Sequence, residues 1–532
     1  DKMELGKIYH MGREEKADLI LNRQAMASHT FVTGSTGTGK SNAVYHLLDE
    51  ITKDGRTSFL VVEPAKGEYK NVFGSRADVK VFGTNPRETP LLRINPFAFP
   101  QDIHILEHID RLVEIFNACW PMYAAMPAVL KDAIERSYQK VGWDLRNSES
   151  EKGVFPTFFD LLDILPGVIE ESHYSKDTQS DYVGALCTRV KSLTNGIYGS
   201  VFCAEDALSD AKLFDCNVVV DLSRVGSMET KSLLMGILVM KLQEYRMCGS
   251  EMNSRLRHVT VLEEAHNLLR KTSAEQSQEG ANLQGKSVEM LANAIAEMRT
   301  YGEGFIIADQ APGLLDMSVI RNTNTKIILR LPDEEDRKLV GKSAALKEAQ
   351  IDELSKLPLG VAAVYQNEWP EAVLCKIEAY PMPENAVYHK PSKMPHEINA
   401  EFVFGQLAAG KELEPLSISE MEQLKLWLKR HEMMLKPEDG RYLEQAFAGG
   451  ELDVAKTRKA VFDFFGGIST VVDYCAAAEK SFTPRKEFLE QLQGQYGLKA
   501  AAADWVLNSV ISMGMSLNPD AKAVDNLRTN FE

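Results

Sequence analysis

The sequence predicts an α/β, doubly wound core carrying a helical insertion, followed by a mostly helical C-terminal domain. Three observations point to that class. Short apolar, β-branched runs alternate with helix-compatible segments through the first 380 residues. A glycine-rich turn joins one such run directly to a helix. Past a proline-bearing stretch at 380–395, the strand-like runs stop.

In chain order, residues 1–28 read as a short β-rich segment that includes Leu19, Ile20 and Leu21. The first part of the core spans 29–99: a strand at 29–33, the glycine-rich turn, a helix from Ser41 to about Ile51, and strands at 57–62 and 78–82. Residues 100–208 form the helical insertion, where Ile105, Ile109, Leu112, Ile115 and Phe116 recur at helical spacing and mark core-facing helices. The second part of the core spans 209–380. It holds strands at 217–222, 258–262, 304–308, 325–329 and 361–365, an amphipathic helix at 231–245, and a strand at 372–375 that closes the sheet. Helical patterning then fills 396–532, with helices at 417–431, 437–448, 454–465, 484–496 and 500–511.

The turn carries the chemistry. Gly34, Ser35, Thr36, Gly37, Thr38, Gly39, Lys40 and Ser41 fit G-x-x-x-x-G-K-[ST] between a strand and a helix, the context that makes this pattern a phosphate loop. Glycines let the backbone turn its N–H groups around a phosphate chain, Lys40 offers a point charge, and the Ser41 hydroxyl suits Mg²⁺. ATP and Mg²⁺ are the expected ligands, with Asn42 beside them, and the core is then a P-loop NTPase. Hydrolysis also needs acids near the metal. The strand at 258–262 runs into Glu263 and Glu264, which places both carboxylates at the carboxyl edge of a sheet, where ligands of open α/β sheets sit. Glu263 is expected on the metal and Glu264 as the residue that polarises water.

Composition narrows the rest. The chain has 532 residues, 44% hydrophobic and 26% charged, as in ordinary globular proteins. With 60 Lys and Arg against 76 Asp and Glu, the net charge of −16 argues against a broad basic surface, leaving local patches or a loop-lined pore for nucleic acid. The 7 cysteines are scattered singly with no C-x-x-C pair, which favours a reducing compartment and no structural zinc. No apolar run reaches the length of a membrane span and no signal-peptide pattern opens the chain, so a cytoplasmic location is expected. The first residue is Asp1 rather than Met, which leaves room for an upstream segment.

The phosphate loop, the run Glu263, Glu264, Ala265, His266, the segment 295–302 with Arg299, Tyr301 and Gly302, the strand end at Gln310, and the run 320–327 together resemble the HerA branch of the HerA–FtsK superfamily, whose core is RecA-like. These motifs stand in the family's order over about residues 15–380. The resemblance implies an ATPase that assembles as a homo-hexamer, moves double-stranded DNA, and works beside a nuclease or other effector in DNA processing or antiphage defence. It also implies that Gln310 senses the γ-phosphate, that Arg299 is a finger reaching a neighbouring copy's ATP, and that Lys271 is a second phosphate-sensing cation. The first two have a plainer reading: a strand-end cap for Gln310 and a solvated helix-end arginine for Arg299. Arg321 and Arg330 are alternative fingers flanking one strand. Glu63 and Glu68 match an acidic strand end and a Gly-Glu pair, with a capping role equally open.

The sequence departs from the family in having Glu rather than Asp at 263 and in lacking a full β-barrel before the loop. His266 reads as a packed histidine sooner than a DNA contact, and the aromatics Trp120, Tyr123 and Trp143 as core. No nuclease constellation is visible. Two readings beside the DNA motor stay open: an ATP-gated regulator or scaffold that controls an effector without moving DNA, and a secretion or conjugation motor at a membrane.

Overall fold

The computed structural model describes residues 2–53, 55–123, 125–150, 153–204, 207–249, 251–272, 283–382, 386–391, 398–410, 413–431, 434–478 and 483–517. The chain divides into two compact units, Asp1–Lys390 and Pro391–Glu532.

The first unit is built on strands β1 (Lys2–His10), β2 (Arg13–Asn22), β3 (Thr30–Thr33), β4 (Ser58–Glu63), β5 (Val79–Gly83), β6 (Trp143–Asp144), β7 (Glu149–Ser150), β8 (Asn217–Asp221), β9 (His258–Glu263), β10 (Glu303–Asp309), β11 (Thr325–Ile328), β12 (Val361–Gln366) and β13 (Val373–Ile377). Eleven of them form one sheet in the order β2-β1-β13-β12-β11-β3-β10-β9-β4-β8-β5, and β6 pairs with β7 as a separate ribbon. From β5 through β11 every pairing is parallel. From β11 outward through β12, β13, β1 and β2 every pairing is antiparallel.

The parallel strands are near-continuous apolar runs because both of their faces are covered. Successive residues point to opposite sides: Phe31, Leu60, Val62 and Leu262 enter one core, while Val32, Val61, Val261 and Ile306 enter the other. Helix α1 (Lys40–Thr52) closes the second core with Val44, Leu47, Leu48 and Ile51. On the first face, helix α3 (Ile105–Cys119) buries Ile105, Ile109, Leu112, Ile115 and Phe116, the spacing read from the sequence. A short helix α2 (Tyr69–Phe73) lies between β4 and β5.

Three expectations change. Cys375 does not close the sheet, because β13 pairs onward to β1, and the β1–β2 hairpin forms that end. The hairpin is therefore part of the core sheet, with strands of nine and ten residues. The helix expected as amphipathic spans Met228–Gly249 and is buried on every side over ten successive residues, Leu233 to Leu242. Its Lys241 escapes the cost of a buried charge by donating to the Ala98 carbonyl at 3.1 Å and pairing with Asp210 at 3.2 Å. Between α3 and β8, the helical stretch also carries the small β6–β7 ribbon.

The second unit is helical throughout its described residues: Ala400–Ala408, Ile418–Arg430, Pro437–Phe447, Val454–Phe464, Ile468–Ala478, Pro484–Tyr496 and Ala500–Leu517. Its own core gathers Phe404, Leu424, Trp427, Phe464 and Val506. Among the described residues no single helix is long and apolar enough to cross a membrane; one pair bent by 68°, Val454–Phe464 with Ile468–Ala477, meets the test of length and composition together.

Candidate nucleotide site

The loop at 34–41 leaves β3 at the carboxyl edge of the sheet and enters α1 at Lys40. Its shape comes from Gly37 and Gly39, both at positive φ (76° and 104°), where an L side chain is strained. The loop is pinned to its neighbours: Ser35 N donates to the Arg330 carbonyl at 3.0 Å, and Gly360 N donates to the Thr38 carbonyl at 3.0 Å. Among the described residues, the amides of Gly37, Gly39, Lys40 and Ser41 have no protein acceptor. Such a ring of free donors around a glycine turn fits a phosphate chain.

Lys40 meets both strand-end acids. Its Nζ lies 3.1 Å from Glu263 Oε2 and 3.0 Å from Glu264 Oε1, and all three side chains are nearly buried. Burial opposes charge on Lys40, but the two carboxylates outweigh it and its pKa is raised. The other oxygen of Glu263 accepts the Tyr69 hydroxyl at 2.5 Å. Gln310 bridges the remaining gap: its Nε2 donates to Glu264 Oε1 at 2.7 Å, and its Oε1 accepts from Thr36 Oγ1 at 2.7 Å. Residues from two strand ends, the start of α2 and the loop thus form one continuous network. Ser41 is the second residue of α1, next to Lys40, so its hydroxyl and the Glu263 carboxylate are the groups suited to hold Mg²⁺.

The turn after β9 is strained. Glu264 sits in the left-handed region, φ 45° and ψ 52°, which costs a non-glycine residue about 1–3 kcal/mol. His266 follows, half-buried, with Nδ1 2.9 Å from Asp309 Oδ2; that hydrogen bond outweighs burial and raises the imidazole pKa. Glu63, at the end of β4, accepts Glu68 N at 2.8 Å and Tyr69 N at 3.0 Å. It caps the start of α2, and burial pushes its pKa up to about 7.

The remaining expected residues lie elsewhere. Asn42 turns to the segment after β13, donating to the Glu378 carbonyl at 3.0 Å and accepting Tyr380 N at 2.8 Å, so both ends of its amide serve structure. Lys271 is exposed, and its backbone N–H donates to the Leu314 carbonyl at 2.8 Å. It lines a cavity with His266, Arg270, Glu229 and Cys119 rather than the loop. Arg299 is exposed in the short turn Met298–Tyr301, just before β10. The turn ends at Gly302, φ 73°, where an added Cβ would stand 2.2 Å from the Arg255 carbonyl oxygen, so no other residue fits. Arg299 is therefore at the amino edge of the sheet, and the loop is at the carboxyl edge. Arg321 is also at the amino edge, before β11; Arg330 follows β11 beside this chain's own loop. Because β11 lies between β3 and β12, the strand they flank is interior to the sheet.

Tyr69 and Asp309 are the residues sequence reasoning missed. Asp309 stood one place before the quoted Gln310, and Tyr69 one place after Glu68, so proximity to a motif was the available signal.

Fold and site together define a P-loop ATPase. The family model described as "Helicase HerA, central domain" matches residues 3–193. The DNA double-strand break repair helicase HerA of Sulfolobus acidocaldarius is 26% identical over 385 residues, 71% of this chain and 69% of that protein. A probable helicase of Methanocaldococcus jannaschii is 24% identical over 390 residues, 68% of each chain. Among solved structures, VirB4 of Thermoanaerobacter pseudethanolicus shares the fold at a TM-score of 0.54 and 18% identity, over 71% of this chain and 96% of that one. The bacterial conjugative coupling protein TrwB matches at 0.51 and 14% identity, over 73% and 99%. The chain is thus a P-loop ATPase that is similar to HerA helicases over these residues.

Proposed function

We propose that this ATPase is a ring motor, a homo-hexamer that moves double-stranded DNA and works with a nuclease or other effector. The observation that carries the reading is the network joining Thr36, Gln310, Glu264, Lys40 and Glu263 across the loop and two strand ends. Support for DNA comes from the helicase relatives. Support for assembly comes from Arg299, which stands at the opposite edge of the sheet from its own loop.

In the resting site Lys40 neutralises two carboxylates. On binding ATP, its ammonium transfers to the phosphates, and the loop amides that have no protein acceptor hold the phosphate oxygens. Ser41 and Glu263 would hold Mg²⁺, and a metal bound there would supply positive charge beside the phosphates. Glu264, released from Lys40, accepts a proton from the attacking water. Gln310 contacts both the loop and Glu264, so it reports phosphate occupancy to the base. Arg299 of a neighbouring copy supplies the charge that stabilises the transferring phosphoryl group.

Two measurements test this. Glu264→Gln is expected to bind ATP and lose at least about 100-fold in turnover; parental turnover would remove Glu264 from its role. Mixing Arg299→Ala with Lys40→Ala subunits is expected to restore part of the activity, and no rescue at any ratio counts against a shared site. The net charge of −16 keeps the second reading, an ATP-gated regulator, in play. Hydrolysis that ignores duplex DNA would favour it.

A further inference from the structure

We propose that His266 and Asp309 form a positioning clamp on Glu264, locking the turn after β9 to the strand end that carries Gln310. The inference rests on the catalytic reading of Glu264 above.

Glu264 holds a left-handed backbone that an isolated glutamate would leave. Two sets of hydrogen bonds fix it. Asn267 donates to the Glu264 carbonyl twice, from its backbone N at 2.9 Å and its Nδ2 at 2.8 Å. His266 donates twice to a single oxygen, Asp309 Oδ2, from its backbone N at 2.9 Å and its Nδ1 at 2.9 Å. Asp309 is fully buried, and its other oxygen accepts Ala311 N at 2.9 Å. Gln310, the residue between, donates to Glu264 Oε1. The contacts therefore close a circuit from Asp309 through Gln310 and Glu264 to His266 and back.

A circuit of this kind matters when Lys40 leaves. Glu264 then loses its ion pair at 3.0 Å, and the clamp is what remains to keep the carboxylate aimed. The ligand atoms of Glu264, His266 and Asp309 lie within 4.8 Å of one another, a spacing that also suits a metal ion. Asp309 argues against that use, because both of its oxygens already accept N–H donors.

The test uses the full chain and reads turnover, KM and the affinity for a fluorescent ATP analogue. His266→Phe keeps a ring without a donor, His266→Asn keeps an N–H near the position of Nδ1, and Asp309→Asn removes the charge. His266→Phe and Asp309→Asn are expected to slow turnover by about 10- to 100-fold, with affinity within about 3-fold of the parent. His266→Asn is expected to recover most of that loss. In a Glu264→Gln background, His266→Phe should add nothing, since a clamp without its base has no work. Parental turnover in His266→Phe overturns the clamp, as does equal impairment of Asn and Phe, loss of affinity in step with turnover, or an undiminished effect in the Glu264→Gln background. If Asp309→Asn fails to fold, the His266 pair still decides. Active Glu264→Gln enzyme would sink the catalytic reading itself, whereas inactive Glu264→Gln with a parental His266→Phe sinks the clamp alone.

Discussion

Glu263 divides its two oxygens between partners of different kinds. Oε2 faces Lys40, a partner that ATP is expected to take away, while Oε1 is held by the Tyr69 hydroxyl, which stays. Tyr69 is itself fixed: its N–H donates to Glu63, and its ring meets Tyr45 edge-on at 4.9 Å. Tyr69→Phe preserves the ring and removes the one bond. Its expected effect is a rise of roughly 10-fold in the Mg²⁺ needed for half-maximal hydrolysis, with a stability loss of about 1–3 kcal/mol. Titration of ATPase rate against Mg²⁺ and urea unfolding would read both, and an unchanged Mg²⁺ curve would remove Tyr69 from the site. Lys40, Glu263 and Glu264 were legible in the sequence because each stands in a local pattern of strand end and turn, whereas Gln310 came only from the family resemblance. Tyr69 was not, because its bond to Glu263 crosses 194 positions of chain. Asn42 misled for the complementary reason, since the residues that claim its amide, Glu378 and Tyr380, lie far along the chain.

At the scale of elements, the strand β3 is set at both ends. Its carboxyl end makes the loop, and its amino end is anchored by His29, which is buried with φ 65°. Phe305 N donates to His29 Nδ1 at 3.0 Å, joining β3 to β10 where the two run parallel. Burial lowers the His29 pKa to about 4, so the folded chain keeps it neutral. An unfolded histidine gains a proton below about 6.5. The stability this contributes is therefore complete above about 6.5 and is lost as pH falls through 4, amounting to about 3 kcal/mol in all. Urea unfolding from pH 7.5 to 4.5 is expected to show the advantage of the parent over His29→Asn shrinking as acid is added; a constant difference would contradict it. Apolar strands such as β4, β8 and β9 were readable because burial on both faces writes continuous runs into the sequence. The β1–β2 hairpin carries Lys, Glu and Asp along much of its length, and its neighbour β13 lies over 300 residues away, so its place in the sheet was invisible locally. The Met228–Gly249 helix failed in the opposite sense: an element enclosed on all sides has no polar face to display.

For the molecule as a whole, every residue of the nucleotide network lies in the first unit, Asp1–Lys390, which holds two hydrophobic cores of its own. The second unit has a third, separate core. A chain ending at residue 390 is expected to fold cooperatively and to bind an ATP analogue within about 3-fold of the full chain. Calorimetry of unfolding and of binding would check this, and an aggregated or non-binding fragment would mean that the first unit needs the second. The helical character of the second unit was legible from periodicity, although Ala400–Ala408 and Ile468–Ala478 were not anticipated. The seven residues of β10 stand between Arg299 and the network at Gln310, a span of about 20 Å. No side-chain motion bridges that span, so under the proposed role of Arg299 a solitary chain holds an incomplete site. With Arg299 acting in trans, the reaction order in protein exceeds one. Halving the concentration below the assembly threshold would then cut the rate per chain, and dilution alone would switch the enzyme off.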